Sequence, residues 1–118
     1  MTARPVVPDL ARLARLPGVR AVMLTALADG LPIESRAHVD VDRDALAAFA
    51  TDLFRRAAQS AAVADVGAVR VVALEAAAGR LVAAARDGLL LVLLAERETN
   101  PGLLRLALRR ALEGLAEG

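Results

Sequence analysis

The chain has 118 residues, a hydrophobic share of 57%, no cysteine and a formal net charge of +1. That length supports one domain with a real core, and 15 basic against 14 acidic residues exert no general pull toward nucleic acid or an anionic membrane. Without cysteine there is no disulfide, no thiolate nucleophile and no sulfur-ligated zinc.

Every basic residue is arginine, and the only aromatics are Phe49 and Phe54. Mean hydropathy is +0.48, but much of the apolar content is alanine, so apolar count overstates apolar bulk. The longest apolar run, Leu89 to Ala95, is far short of the roughly 20 residues that a membrane helix needs. No charged-then-apolar leader opens the chain. These features predict a cytoplasmic protein without membrane insertion.

Residues 1–8 carry two prolines among small residues and read as a loose tail before a single domain over 9–118. Pro8-Asp9 opens a short helix with Leu10, Leu13 and Ala14 on one side, and Pro17-Gly18 ends it. Val19 to Leu27 is apolar on both parities, which fits a strand covered on both faces. Asp29-Gly30 then predicts a tight hairpin turn. Leu31 to Val39 alternates, and Pro32 cannot donate to a ladder, so this strand belongs at a sheet edge. Asp40, Asp42 and Asp44 tempt a calcium-loop reading. That loop needs Gly at its sixth position and Glu at its twelfth, and this chain has Ala45 and Thr51 there. The acids instead suit the start of a helix, where they cap free N–H groups.

That helix is expected from Arg43 to Asp65, with Gly67 stopping it. Leu46, Phe49, Ala50, Leu53, Phe54, Ala57, Ala58 and Ala61 spread over roughly 180° of it. Covering a sheet takes an apolar stripe of about 100° or more. The surplus, carrying Ala47, Phe54, Ala58 and Ala61, is therefore available to a second helix or to loops of the same chain. Val69 to Ala76 reads as a strand, Ala77 to Arg80 as a turn, and Leu81 to Arg86 as another strand. Asp87-Gly88 predicts a second hairpin turn into Leu89 to Ala95, an apolar central strand. Pro101 opens the last helix, which lines up Leu104, Ala107, Leu108, Ala111, Leu112 and Leu115. The order α-β-β-α-β-β-β-α predicts an α/β (α+β) domain, a five-stranded antiparallel sheet with helices on both faces. The edges should be Leu31 to Val39 and Val69 to Ala76.

Chemistry is sparse. His38 is the only histidine, and neither Ser35 nor Ser60 has a recognisable base. No Gly-rich phosphate loop is present, so the chain itself is not expected to bind GTP. No catalytic residue, cofactor site or metal site is assigned. The Arg55-Arg56 and Arg109-Arg110 pairs read first as solvated helix faces.

From Leu16-Pro-Gly-Val-Arg-Ala-Val-Met-Leu to Asp29-Gly30-Leu-Pro-Ile, and in its order of elements, the chain resembles the Roadblock family. That family includes the dynein light chain Roadblock proteins and the bacterial MglB-type regulators of Ras-like GTPases. The final helix, with Leu103-Leu104-Arg105 and Arg109-Arg110-Ala111, is similar to the family's end. The resemblance implies a non-enzymatic homodimer that binds a small Ras-like GTPase and regulates it. A scaffold subunit with no effect on hydrolysis is the alternative. A profilin-like or PAS-like sensor is a third, against which the Ala, Leu and Val of the inward positions argue.

Two surfaces follow as expectations. Together with the adjacent arginines, the resemblance points a GTPase to Thr51, Asp52, Arg55, Arg56 and Gln59. A homodimer is expected through Val69, Val71, Val72 and Ala73, joined by the helix surplus at Ala47, Phe54, Ala58 and Ala61. The reason is that an open, unprotected strand edge invites pairing, and self-pairing closes under two-fold symmetry.

Overall fold

Two apolar strands lie side by side in the interior, and the rest of the chain is arranged around them. The computed structural model describes residues 9–38 and 40–116. Its elements are α1 (Leu10–Ala14), β1 (Val19–Ala26), β2 (Pro32–Ala37), α2 (Arg43–Val63), β3 (Val71–Ala76), β4 (Gly79–Arg86), β5 (Leu89–Ala95) and α3 (Pro101–Ala116). The expected tail, residues 1–8, and Val39 lie outside the described residues. The strands form one antiparallel sheet in the order β2-β1-β5-β4-β3. β1 and β5 are therefore neighbours inside the sheet, and the Pro32 strand and the Val-rich strand are its two edges, as the patterning predicts.

Each face of the sheet has its own core. On one, α1 and α3 set Leu10, Leu13, Leu104, Leu108 and Leu112 against Val22, Leu24, Val82, Leu91 and Leu93. On the other, α2 sets Leu46, Ala47, Ala50 and Phe54 against Ala21, Met23, Leu81, Ala83 and Val92. β1 and β5 feed both cores by alternation, which is why they are apolar on both parities. Burying one such leucine contributes about 1.5–3 kcal/mol.

Local chemistry fixes the element ends. Asp42 caps α2, its Oδ1 accepting from the Ala45 N–H at 3.0 Å, and Asp40 pairs with Arg20 at 2.6 Å. Asn100 caps α3 by accepting from the Gly102 N–H at 2.8 Å. The β4–β5 turn has both Asp87 and Gly88 at positive φ, the requirement of a two-residue type I′ turn.

The Asp29-Gly30 turn differs from expectation. Only Gly30 of the pair takes positive φ, and the turn spreads over Leu27 to Gly30, closed by Gly30 N–H to the Ala26 carbonyl at 2.8 Å. The Asp29 carboxylate accepts from the Leu31 N–H at 2.9 Å, an Asx turn in place of the tight hairpin. The Leu27 N–H donates to the Gly88 carbonyl at 2.9 Å, tying this turn to the β4–β5 turn.

Two further ends were misplaced by sequence. β4 begins at Gly79 rather than Leu81 because Ala77-Ala78 alone make the turn, with Ala76 opposite Gly79. Only glycine fits there, since a Cβ would lie 2.9 Å from the Ala95 carbonyl oxygen. Nor does Gly67 stop α2. The Val66 N–H bonds the Ala61 carbonyl at 3.1 Å and the Asp65 N–H bonds the Ala62 carbonyl at 3.2 Å, the two bonds of a Schellman cap. Asp65 itself supplies the left-handed residue, at φ 57°. Among the described residues, no helix is long and apolar enough to cross a membrane.

Candidate interaction surfaces

The edge strand β3 is the least protected backbone in the sheet. Val71 and Ala73 are exposed, and Val72 and Val69 are half-buried. The Ala85 N–H donates to the Arg70 carbonyl at 3.1 Å, so these two form a hydrogen-bonded pair. The alternation of an antiparallel ladder then assigns Val72, Leu74 and Ala76 to β4. Val71, Ala73 and Glu75 turn their N–H and C=O groups outward. At the opposite edge, β2 carries Pro32, the Glu34–Arg36 ion pair at 3.7 Å, and a register shift against Leu24 and Thr25. Proline, charge and a bulge are the usual guards of an edge, and β3 has none of them at its centre.

The expected helix surplus is not a surplus. Ala47, Phe54 and Ala61 are buried within the chain, Phe54 at 5% exposure, and Ala58 is half-buried. α2 is rotated about its axis relative to the sequence reading, so that this side faces the sheet. The rotation lifts Phe49 to 51% exposure and leaves Leu53 half-buried. The apolar stripe left open on α2 therefore runs through Phe49 and Leu53, one turn apart.

The same rotation removes Thr51 from the expected polar face. Thr51 is 2% exposed, and its hydroxyl meets that of Thr25 at 3.4 Å. Among the described residues these two threonines are the only buried polar side chains, and each satisfies the other. Asp52, Arg55, Arg56 and Gln59 are exposed. Asp52 and Arg56 pair at 2.8 Å. Arg55 donates to the Leu27 carbonyl and so latches α2 to the β1–β2 turn. A shallow depression of about 420 Å³ between that turn and α2 is lined by Asp29, Leu31, Asp44, Asp52 and Arg55.

Other candidates carry no chemistry. His38 is exposed at the end of β2. Among the described residues, no three His, Cys, Asp or Glu side chains are grouped to hold a metal. Sequence reasoning missed two features. The Phe49–Leu53 stripe was visible as an i, i+4 pair but hidden by the alanines around it. An arginine-lined groove beside α3 draws on residues far apart in the chain, and no local pattern could have announced it.

The fold is a five-stranded antiparallel sheet with α2 on one face and α1 and α3 on the other, with one edge unguarded. The profile of the Roadblock/LC7 domain matches residues 7–95, and the chain belongs to that family. The solved Roadblock/LC7 domain from Streptomyces avermitilis is similar at 21% identity, with a TM-score of 0.77 over 98% of this chain and 94% of that one. Myxococcus xanthus MglB is similar at 21% identity, TM-score 0.78, over 95% and 89%. An MglB with a tetrameric arrangement is similar at 19% identity, TM-score 0.78, over 92% and 82%. Among curated proteins, none is similar enough to this chain to count as a match.

Proposed function

We propose that the chain is a homodimeric adaptor that binds a small Ras-like GTPase and regulates it, without catalytic groups of its own. The observation that carries this reading is the unguarded β3 edge in a Roadblock/LC7 domain. Strand β3 pairs antiparallel with its own copy through Val71 and Ala73, making one sheet of two. The α2 helices then meet across one face of that sheet through Phe49 and Leu53, in place of the Ala47–Ala61 side that the chain buries itself. The buried Thr25–Thr51 pair supports an adaptor over a small-molecule sensor, because among the described residues no buried polar side chain is left unpaired to receive a ligand.

The GTPase meets the outer face of α2 at Asp52, Arg56 and Gln59. Arg55 supports this face by holding the helix to the β1–β2 turn. The test is co-purification with candidate GTPases loaded with GDP or a GTP analogue, followed by a hydrolysis assay. Exchanging the ion pair, Asp52→Arg with Arg56→Asp, keeps an i, i+4 pair on the helix while inverting what a partner sees. That variant should fold normally and lose the GTPase. Undiminished affinity would move the site off α2. The tetrameric arrangement of a similar MglB favours a second reading, an adaptor subunit in a larger assembly with no effect on hydrolysis. Binding with an unchanged hydrolysis rate selects it.

A further inference from the structure

Helix α3 packs over β4 and β5 and leaves β3 uncovered on that face of the sheet. Val71 and Ala73, which stand opposite Ala84 and Val82, are consequently exposed there. Between them and α3 lies an open groove of about 780 Å³. Its floor is aliphatic, formed by Val71, Ala73 and Ala84 from the sheet and by Leu108 and Leu112 from the helix. Its rim holds three arginines, Arg86 from β4 and Arg105 and Arg109 from α3, against the single carboxylate of Glu113.

This is a local excess on a chain whose net charge is only +1. Among the described residues, Arg105 and Arg109 have no carboxylate within ion-pair distance, and Arg86 reaches only Asp87, at 3.9 Å. Outside the groove, Arg20 pairs with Asp40, Arg36 with Glu34, Arg56 with Asp52 and Arg80 with Glu75 at 3.0 Å. Arg12, Arg15, Arg43 and Arg110 are also without an ion pair among the described residues, but they stand apart from this apolar floor. Three like charges around one groove repel each other. An incoming group that carries several negative charges relieves that repulsion.

We infer that this groove docks an acidic, leucine-rich segment of a partner protein. Planar guanidinium forks match carboxylates through two parallel hydrogen bonds, and the aliphatic floor takes the segment's apolar side chains out of water. A single-stranded nucleic acid fits less well. Its bases need aromatic platforms, and the floor has none, since Phe54 is buried under α2 and Phe49 lies on α2's open stripe. A free phosphate would leave the aliphatic floor uncovered. The groove opens on the α3 face, whereas the β3 backbone edge points along the sheet plane, so dimer pairing and peptide docking are compatible. The inference is independent of the GTPase reading, which concerns the opposite face.

The test uses the full chain and fluorescein-labelled synthetic peptides in an anisotropy titration. A peptide of alternating Glu and Leu should bind, with affinity that falls as salt rises. Replacing its Glu by Gln, or its Leu by Ser, should weaken binding about tenfold or more. The double reversal Arg105→Glu with Arg109→Glu, at exposed helix positions, should weaken it by about tenfold, the scale of a few partly enclosed charge pairs. Arg86→Glu, off the helix altogether, should act in the same direction and guards against a folding defect in α3. The α2 exchange Asp52→Arg with Arg56→Asp should leave peptide binding unchanged. Equal binding of the Gln and Glu peptides, or undiminished binding by both reversed proteins, would overturn the proposal. So would displacement of the peptide by an oligothymidine at equal charge.

Discussion

Asp65 shows what a single residue decides at the end of α2. It occupies the left-handed position of the helix cap at φ 57°, where an L-residue other than glycine is strained by roughly 1–2 kcal/mol. Its side chain is exposed, so nothing in the core requires it. Asp65→Gly should therefore raise stability by about 0.5–1 kcal/mol, after allowing for glycine's greater freedom when unfolded. Chemical denaturation would read this, and an unchanged or lower midpoint would refute the cap. The sequence suggested Gly67 because glycine is the usual residue at such ends, and only the hydrogen bonds from Asp65 and Val66 show where the helix turns off. Thr51 teaches a related lesson. A threonine on an amphipathic helix reads as polar surface, yet it is buried because Thr25 waits for it on β1. That partnership joins residues 26 apart and leaves no local trace.

At the scale of the element, the rotation of α2 separates two phenylalanines that the sequence placed together. Phe54 is inside the chain and Phe49 is outside it. Phe54→Ala should cost about 3–5 kcal/mol, the usual loss for a large buried aromatic, and it should do so at any protein concentration. Phe49→Asp should leave the fold intact and, on the dimer reading, separate the copies. Thermal melts combined with light scattering distinguish the two. A folded monomer from Phe54→Ala, or an unfolded chain from Phe49→Asp, would put the rotation in error. Helix α2 was legible as a helix of nearly the right length from its period and its aspartates. Its orientation was not, because alanines populate both flanks of the stripe and give the hydrophobic arc no centre. The strands were easier. β1 and β5 are apolar on both parities, a pattern that only the interior of a sheet explains.

For the whole molecule, the difference between the two sheet edges matters most. Pro32, Glu34 and Arg36 made one edge readable as guarded, and the absence of such residues made the other readable as open, so the strand order was largely legible in advance. The groove beside α3 was not, because its three arginines lie on β4 and α3, and only folding brings them to one rim. Ladder geometry sharpens the dimer prediction. Ala73 directs its backbone N–H outward, so Ala73→Pro should leave the chain's own sheet intact and abolish self-pairing. Val72→Pro removes a bond to β4 and should destabilise the fold itself. Size-exclusion chromatography with light scattering reads both, and a dimer that survives Ala73→Pro would exclude pairing through β3. The outward set of β3 has a further consequence in time rather than in mass. Amide hydrogens of an open edge exchange with solvent quickly, and those in a ladder exchange slowly. As the protein is concentrated, Val71, Ala73 and Glu75 should slow, while Val72 and Leu74, already bonded to β4, change far less. A deuterium-exchange series would then show an every-other-residue rhythm on one strand, a signature that uniform burial by a bulky partner could not produce.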